Sequence, residues 1–330
     1  MQASSNQQSD WWIMNDVEQI KKAHKRLEGL IHKTNLIRSP YLSEQVNGNV
    51  YLKLENEQFT GSFKARGSLN KLLTLAENGN TQAVVTASTG NHGLGFSRAC
   101  KLTKTKGIVF LPEHAAKAKV KKLRSYPVEL KFINGSSLET ELAAKSYAAK
   151  NKLTWVSPYN DYDILHGQGT IACELVEQLE QIDCLFATVG GGGLIAGNAS
   201  YLKSINPSIS VYGCQPEVSP EMSLSVKAGK VVDLEENLPT LSDGSAGGIE
   251  QDTITLPYCQ QHIDEFVLIS EDNIKAAIKQ VAHDHNKVIE GAAGVSYAAV
   301  LKKKEVLAGK TVVVIICGGN ISIDVFKTLI

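Results

Sequence analysis

The chain has no charge of its own to spend on a partner. Its 34 Lys and Arg balance 34 Asp and Glu over 330 residues, so nothing global favours nucleic acid or an anionic membrane. No apolar run approaches the roughly 18 residues needed to cross a bilayer. The first ten residues, Met1 to Asp10, are polar and lack the basic-then-apolar order of a signal peptide, and are expected to form a mobile tail. The six cysteines (Cys100, Cys173, Cys184, Cys214, Cys259 and Cys317) form no CxxC pair and sit mostly in apolar segments. They read as reduced thiols of a cytoplasmic protein. There is no repeat, no low-complexity tract and no Pro/Gly/Ser linker. Any division into two domains, which the length allows at about 150 residues each, must come from chain crossovers.

What is present is alternation. Asp16 is expected to cap a helix carrying Val17, Ile20, Leu27, Leu30 and Ile31. Strand patterns follow near 50–55, 83–86, 108–111, 128–133, 184–189, 209–214, 265–269 and 311–316. Helical patterns lie between them, near 93–103, 115–125, 136–150, 167–181, 194–204, 271–286 and 293–306. Short apolar strands separated by helices of ten or more residues indicate an α/β fold. Its parallel sheets should be covered by helices on both faces.

Ligands of such sheets bind at the carboxyl ends of strands, and the distinctive residues cluster there. Gly61-Ser62-Phe63-Lys64-Ala65-Arg66-Gly67 places Lys64 where a strand gives way to a helix. A helix start disfavours a cation, and a lysine whose amine is kept neutral is a nucleophile towards carbonyls, as in Schiff-base lysines. Ser88-Thr89-Gly90-Asn91-His92-Gly93 follows a strand and opens a helix, a nest suited to a carboxylate. Gly190-Gly191-Gly192-Gly193-Leu194 brings backbone N–H groups within reach of a phosphate. A side chain at Gly191 or Gly192 should stand between those donors and the anion. Cys317-Gly318-Gly319-Asn320 ends the strongest strand pattern. Gly191, Gly193 and Ala196 also fit the dinucleotide fingerprint G-x-G-x-x-G/A. Gln215 and Pro216 stand where its acid should close the next strand, and that reading leaves Lys64 without a role.

Together these stretches, with Leu54-Glu55-Asn56, Gly167-Gln168-Gly169-Thr170, Asp243-Gly244, Ala246-Gly247-Gly248 and Glu290-Gly291-Ala292, resemble the fold-type II (tryptophan synthase β-like) family of pyridoxal-phosphate enzymes. The match is to its serine/threonine dehydratase and serine racemase branch. The resemblance implies two domains, each an open, mostly parallel twisted sheet covered by helices. Residues 1–57 and 156–330 would form the larger, cofactor-binding domain and 58–155 the smaller. It further implies that Lys64 carries pyridoxal 5′-phosphate, that Phe63 packs beside its ring, and that Asn91 bonds the 3′ oxygen. Gly190, Gly191, Gly192, Gly193 and Leu194 would hold the phosphate, with Cys317 facing the ring nitrogen. Ser88, Thr89, Asn91 and His92 would bind the substrate carboxylate. A homodimer is implied as well.

The implied reaction is elimination of water from a small β-hydroxy amino acid, L-serine or L-threonine, giving an α-keto acid and ammonia. Lys64 and Thr89 are its candidate catalytic residues. Thr89 stands where dehydratases of the branch usually have alanine and racemases a serine that reprotonates Cα. It therefore either caps its helix, binds carboxylate, or serves a serine or aspartate racemase; 3-hydroxyaspartate dehydration is a further alternative. Part of the branch binds a divalent cation near Gln215, Ser219 and Glu221. Gln215 replaces an acid there, so a cation is not expected. His283 and His285 are two apart on a helix and make a poor metal pair. Lys117, Lys119, Lys121 and Lys122 read as a solvated helix face.

Overall fold

The computed structural model describes residues 5–234, 236 and 238–330, with residues 5–15 described by backbone alone. In chain order the strands are β1 (Leu36–Arg38), β2 (Asn49–Lys53), β3 (Val84–Ala87), β4 (Gly107–Pro112), β5 (Val128–Ile133), β6 (Thr154–Trp155), β7 (Cys184–Thr188), β8 (Ser210–Pro216), β9 (Glu265–Ile269) and β10 (Thr311–Ile315). The helices are α1 (Ser5–Leu27), α2 (Pro40–Val46), α3 (Lys64–Glu77), α4 (Asn91–Thr103), α5 (Lys117–Leu123), α6 (Ser137–Lys150), α7 (Tyr162–Gln178), α8 (Gly193–Ile205), α9 (Glu221–Ala228), α10 (Thr255–His262), α11 (Glu271–His285), α12 (Gly291–Lys302) and α13 (Ile323–Leu329).

Two sheets result. One has six strands in the order β1-β2-β10-β7-β8-β9, parallel except for the β1–β2 pair; the other has four parallel strands, β5-β4-β3-β6. Every residue of β7 and of β4 is buried, as expected of central strands covered on both faces. In β4 the side chains alternate. Val109 and Leu111 join the core under α3, α4 and α5, while Ile108 and Phe110 pack with Ala144 and Ala148 of α6. In the larger sheet α12 lies along β7 to β10 with α11 packed on it.

Two N-terminal expectations need correction. Asp16 caps nothing: the first helix begins at Ser5, and Asp16 is a buried interior residue. Its carboxylate bonds His166 Nε2 at 2.9 Å and accepts from the Tyr258 hydroxyl, tying α1 to α7 and α10. Of the expected mobile tail, Ser5 to Asp10 are helical, and Met1 to Ser4 lie outside the described residues. All six cysteines are unpaired and buried, and no helix among the described residues is long and apolar enough to cross a membrane.

Candidate active site

The loops at the carboxyl ends of β3, β7 and β10 converge on the start of α3. Phe63, Lys64, Asn91, Tyr159, Thr188, Gly190 to Leu194, Gly244, Ser245, Glu290, Ala292 and Cys317 line one cleft. Backbone pairing sets its geometry. Ser62 bridges Gly318, the Phe63 N–H reaches the Cys317 carbonyl at 3.1 Å, and the Gly319 N–H reaches Gly61 at 2.9 Å. The lysine stretch is thereby laced to the loop after β10.

Lys64 is the first residue of α3, and its Nζ donates to the Pro158 carbonyl at 2.7 Å. Desolvation, opposed by the nearby Cys317 and Glu290, lowers its pKa from 10.5 to about 8. The helix N-terminus acts in the same direction. Burial, together with Glu290, holds the Cys317 thiol well above the ordinary range, so it stays protonated. Glu290 is itself buried, and burial with repulsion from Asp243 raises its carboxyl to about 7.

The glycine loop joins β7 to α8. Among the described residues none accepts a backbone hydrogen bond from the N–H groups of Gly190 to Leu194, which leaves a row of donors at a helix start for an anion. The reason for the glycines differs from the expected one. A Cβ on Gly191 would lie 2.4 Å from the Tyr159 ring, and Gly192 has φ +85° with Thr255 at 3.0 Å from an added Cβ. A side chain there strikes Tyr159 or Thr255 first. Gly191→Val is expected to push Tyr159 aside and weaken binding of a phosphate-bearing ligand at least tenfold, about 1.4 kcal/mol. Equilibrium dialysis checks this, and unchanged affinity would show the loop to be only a turn.

The loop after β3 departs from expectation in two ways. Gly90 is the cap residue of α4 and receives no side-chain cap, while Ser88 Oγ accepts from the Gly90 N–H at 3.2 Å. Thr89 therefore caps nothing, and no group among the described residues bonds its half-buried hydroxyl. His92 is buried beneath the loop, its Nε2 lying 3.2 Å from the Val156 carbonyl and 3.0 Å from Thr86 Oγ1. Burial, with Lys64 nearby, lowers its pKa to about 3. A neutral ring offers a carboxylate no charge, and its buried Nδ1 has no hydrogen-bond partner among the described residues.

Two site residues escaped the sequence reading. Tyr159 follows β6, packs on the glycine loop, and accepts from the Glu250 N–H at 2.8 Å through its hydroxyl. A Pro-Tyr pair at a strand's carboxyl end was its only signal. Glu290 is the other, and the Glu290-Gly291-Ala292 stretch carries no local sign of its role. The lysines of α5 are also less idle than expected. Lys119 pairs with Asp243 at 3.2 Å and Lys122 donates to Asn320 at 3.1 Å, both across the cleft. At the considered cation position, Gln215 Oε1 accepts from the Ser223 N–H at 2.8 Å. Ser219 Oγ donates to Glu221. Glu217, just beyond Gln215 and Pro216, lies 3.4 Å from Lys302.

A lysine amine of lowered pKa facing a row of free backbone donors suits a ligand that joins a reactive carbonyl to a phosphate. Sequence comparison gives the same class: the family described as "Pyridoxal-phosphate dependent enzyme" matches residues 27–318, and the chain belongs to it. It is 37% identical over 317 residues to L-threonine ammonia-lyase of Thermotoga maritima, covering 96% of this chain and 78% of that protein. Among solved structures, serine racemase from Dictyostelium discoideum superimposes with a TM-score of 0.86 at 32% identity, covering 93% of this chain and 99% of that one. The processed form of threonine deaminase isoform 2 from Solanum lycopersicum does so with 0.90 at 28%, covering 99% and 93%. The cofactor is pyridoxal 5′-phosphate.

Proposed function

We propose that the protein is a serine/threonine ammonia-lyase that removes water from L-threonine or L-serine and releases an α-keto acid and ammonia. The observation that carries this reading is Lys64 itself: a partly buried amine of lowered pKa, opposed by the free N–H groups of the glycine loop and by the protonated Cys317 thiol. In this reading the N–H groups of Gly190 to Leu194 hold the cofactor phosphate, and Phe63 packs beside its ring. Asn91 donates to its 3′ oxygen, and Cys317 faces its nitrogen. Ser88, Thr89, Asn91 and His92 meet the substrate carboxylate. When bound, the cofactor serves as the electron sink for charge left at the substrate Cα. Lys64 would hold the cofactor until substrate binds and, as the neutral amine, would then take the Cα proton. The β-hydroxyl leaves as water; the freed enamine tautomerises, and water displaces its nitrogen as ammonia. A thiol cannot hold a proton on the ring nitrogen as a carboxylate does, which favours prompt loss of the hydroxyl.

The domain division goes with this reading. The strands of the four-stranded sheet all fall within 84–155 and those of the other sheet outside it, which supports a smaller domain of 58–155 and a larger one of 1–57 and 156–330. Six unpaired cysteines support a reducing, cytoplasmic setting. A homodimer rests on family resemblance and is checked by sedimentation.

Racemisation is the second reading, favoured by the unbonded Thr89 hydroxyl and the likeness to a serine racemase. The deciding assay supplies L-serine, L-threonine, D-serine and both 3-hydroxyaspartate diastereomers in deuterated water, scoring keto acid and enantiomer together. Keto acid from L-threonine or L-serine is expected. D-serine carrying deuterium at Cα and outpacing pyruvate would replace the assignment with a racemase. Thr89→Ala is expected to keep dehydration within about tenfold, since loss of one hydrogen bond costs about 1 kcal/mol. A larger loss of elimination would make Thr89 essential to it.

A further inference from the structure

Asn91 can offer the cleft either an N–H or a carbonyl, since the two ends of its amide have nearly the same shape. Its neighbours decide which. Asn320 is fixed first, because two of its partners have only one role each. Lys122 Nζ, which can only donate, lies 3.1 Å from Asn320 Oδ1, and the Thr60 carbonyl, which can only accept, lies 2.7 Å from Asn320 Nδ2. The second Nδ2 hydrogen of Asn320 points to Asn91 Oδ1 at 2.7 Å. Asn91 must then turn its NH2 the other way, where Glu290 Oε1 accepts one hydrogen at 2.7 Å. One N–H of Asn91 is left for the cleft.

Glu290 does not serve its own helix with its side chain. It is the cap residue of α12, yet its carboxylate makes no capping bond. Its second oxygen accepts from the Asn320 backbone N–H at 3.0 Å, and a Cβ on Gly318 would meet its Oε1 at 2.5 Å. A carboxylate buried at this depth is costly unless hydrogen-bonded, and its bonds go to Asn91 and to the backbone of Asn320. Asp243 and Lys119 act on it with opposite effects, and Lys64 and Cys317 in turn feel its charge.

We propose that Asn320 and Glu290 are positioning residues for Asn91, clamping its amide from both ends so that it presents a donor, never an acceptor, to the cofactor's 3′ oxygen. This rests on the reading that Asn91 meets the cofactor. Asn320 bonds across the cleft to Lys122 of α5, so the clamp draws on both sides of the site.

The test uses holoenzyme and two readouts besides turnover: the visible absorption maximum of bound pyridoxal phosphate and its dissociation constant. Asn320→Ala is expected to shift the band in the same direction as Asn91→Ala and to weaken binding about threefold or more. In an Asn91→Ala background, Asn320→Ala should change neither readout further, because coupled residues are non-additive. Asn320→Asp keeps the side chain's size but sets an oxygen against the Asn91 carbonyl, and it should shift the band at least as far; it carries the test if the alanine variant folds poorly. Glu290→Gln should shift the band in the same direction. Additive effects of Asn91→Ala and Asn320→Ala, or wild-type spectra in Asn320→Ala and Asn320→Asp, would overturn the proposal. Unchanged spectrum and affinity in Asn91→Ala would instead overturn the placement of Asn91 against the cofactor.

Discussion

Lys64→Ala is expected to lower turnover by at least about 10³-fold and to abolish covalent retention of the cofactor. One substitution removes both the group that holds pyridoxal phosphate and the base at Cα, and a positioned base alone typically contributes about 10²- to 10⁴-fold. Borohydride reduction of wild type should mark the peptide containing Lys64, and label on another lysine would remove the basis for this role. The pH dependence has a definite sign. Proton abstraction needs the neutral amine, so the limiting rate should rise with pH and level off above about 8. At pH 7 an amine shifted from 10.5 to about 8 is neutral roughly 300 times more often than an ordinary lysine. A limiting rate that falls as pH rises from 6 to 8 would assign the essential base elsewhere.

The strands were legible because parallel strands covered on both faces read as short apolar runs: the pattern at 184–189 became β7 at Cys184–Thr188, and that at 128–133 became β5. The cofactor loops were legible for a related reason, since glycines are needed where backbone approaches backbone or ring at a strand's end. Illegible were the short elements β1, β6, α2, α9, α10 and α13, each too brief to show a period. The start of α1 was misplaced because Asp16 looks like a cap in the linear sequence, and only folding brings His166 and Tyr258 to its carboxylate. Tyr159, Glu290 and the amide of Asn320 act through partners roughly 30 to 260 residues away, at distances no local pattern encodes. The same holds for Arg66. Its place two residues beyond Lys64 was plain, but its partners were not.

Those partners make Glu174→Gln the substitution with the largest expected effect on stability. Arg66 is fully buried and grips Glu55 with two nitrogens, each at 2.7 Å, while its Nη1 reaches Glu174 Oε1 at 2.6 Å. Lys53, equally buried, bonds the other oxygen of Glu174, the Thr34 carbonyl at 2.9 Å and Gln178 at 2.8 Å. The cluster holds two cations and two anions, so it is neutral as long as all four are present. It joins β2, the first turn of α3 and α7, and so fixes the helix start that presents Lys64. Neutralising Glu174 strands one buried positive charge, and breaking such a pair costs about 3 to 5 kcal/mol. The urea midpoint, measured at fixed pyridoxal phosphate because bound ligand also stabilises the fold, should fall accordingly. Adding Lys53→Met to Glu174→Gln restores neutrality and should recover at least half of the loss, since replacing both members of a buried pair is often near neutral. An unchanged midpoint in Glu174→Gln would show that water or a neighbouring group relieves the charge. No recovery in the double variant would locate the loss in the shape of the cluster, with α3 then held by packing and not by ion pairing.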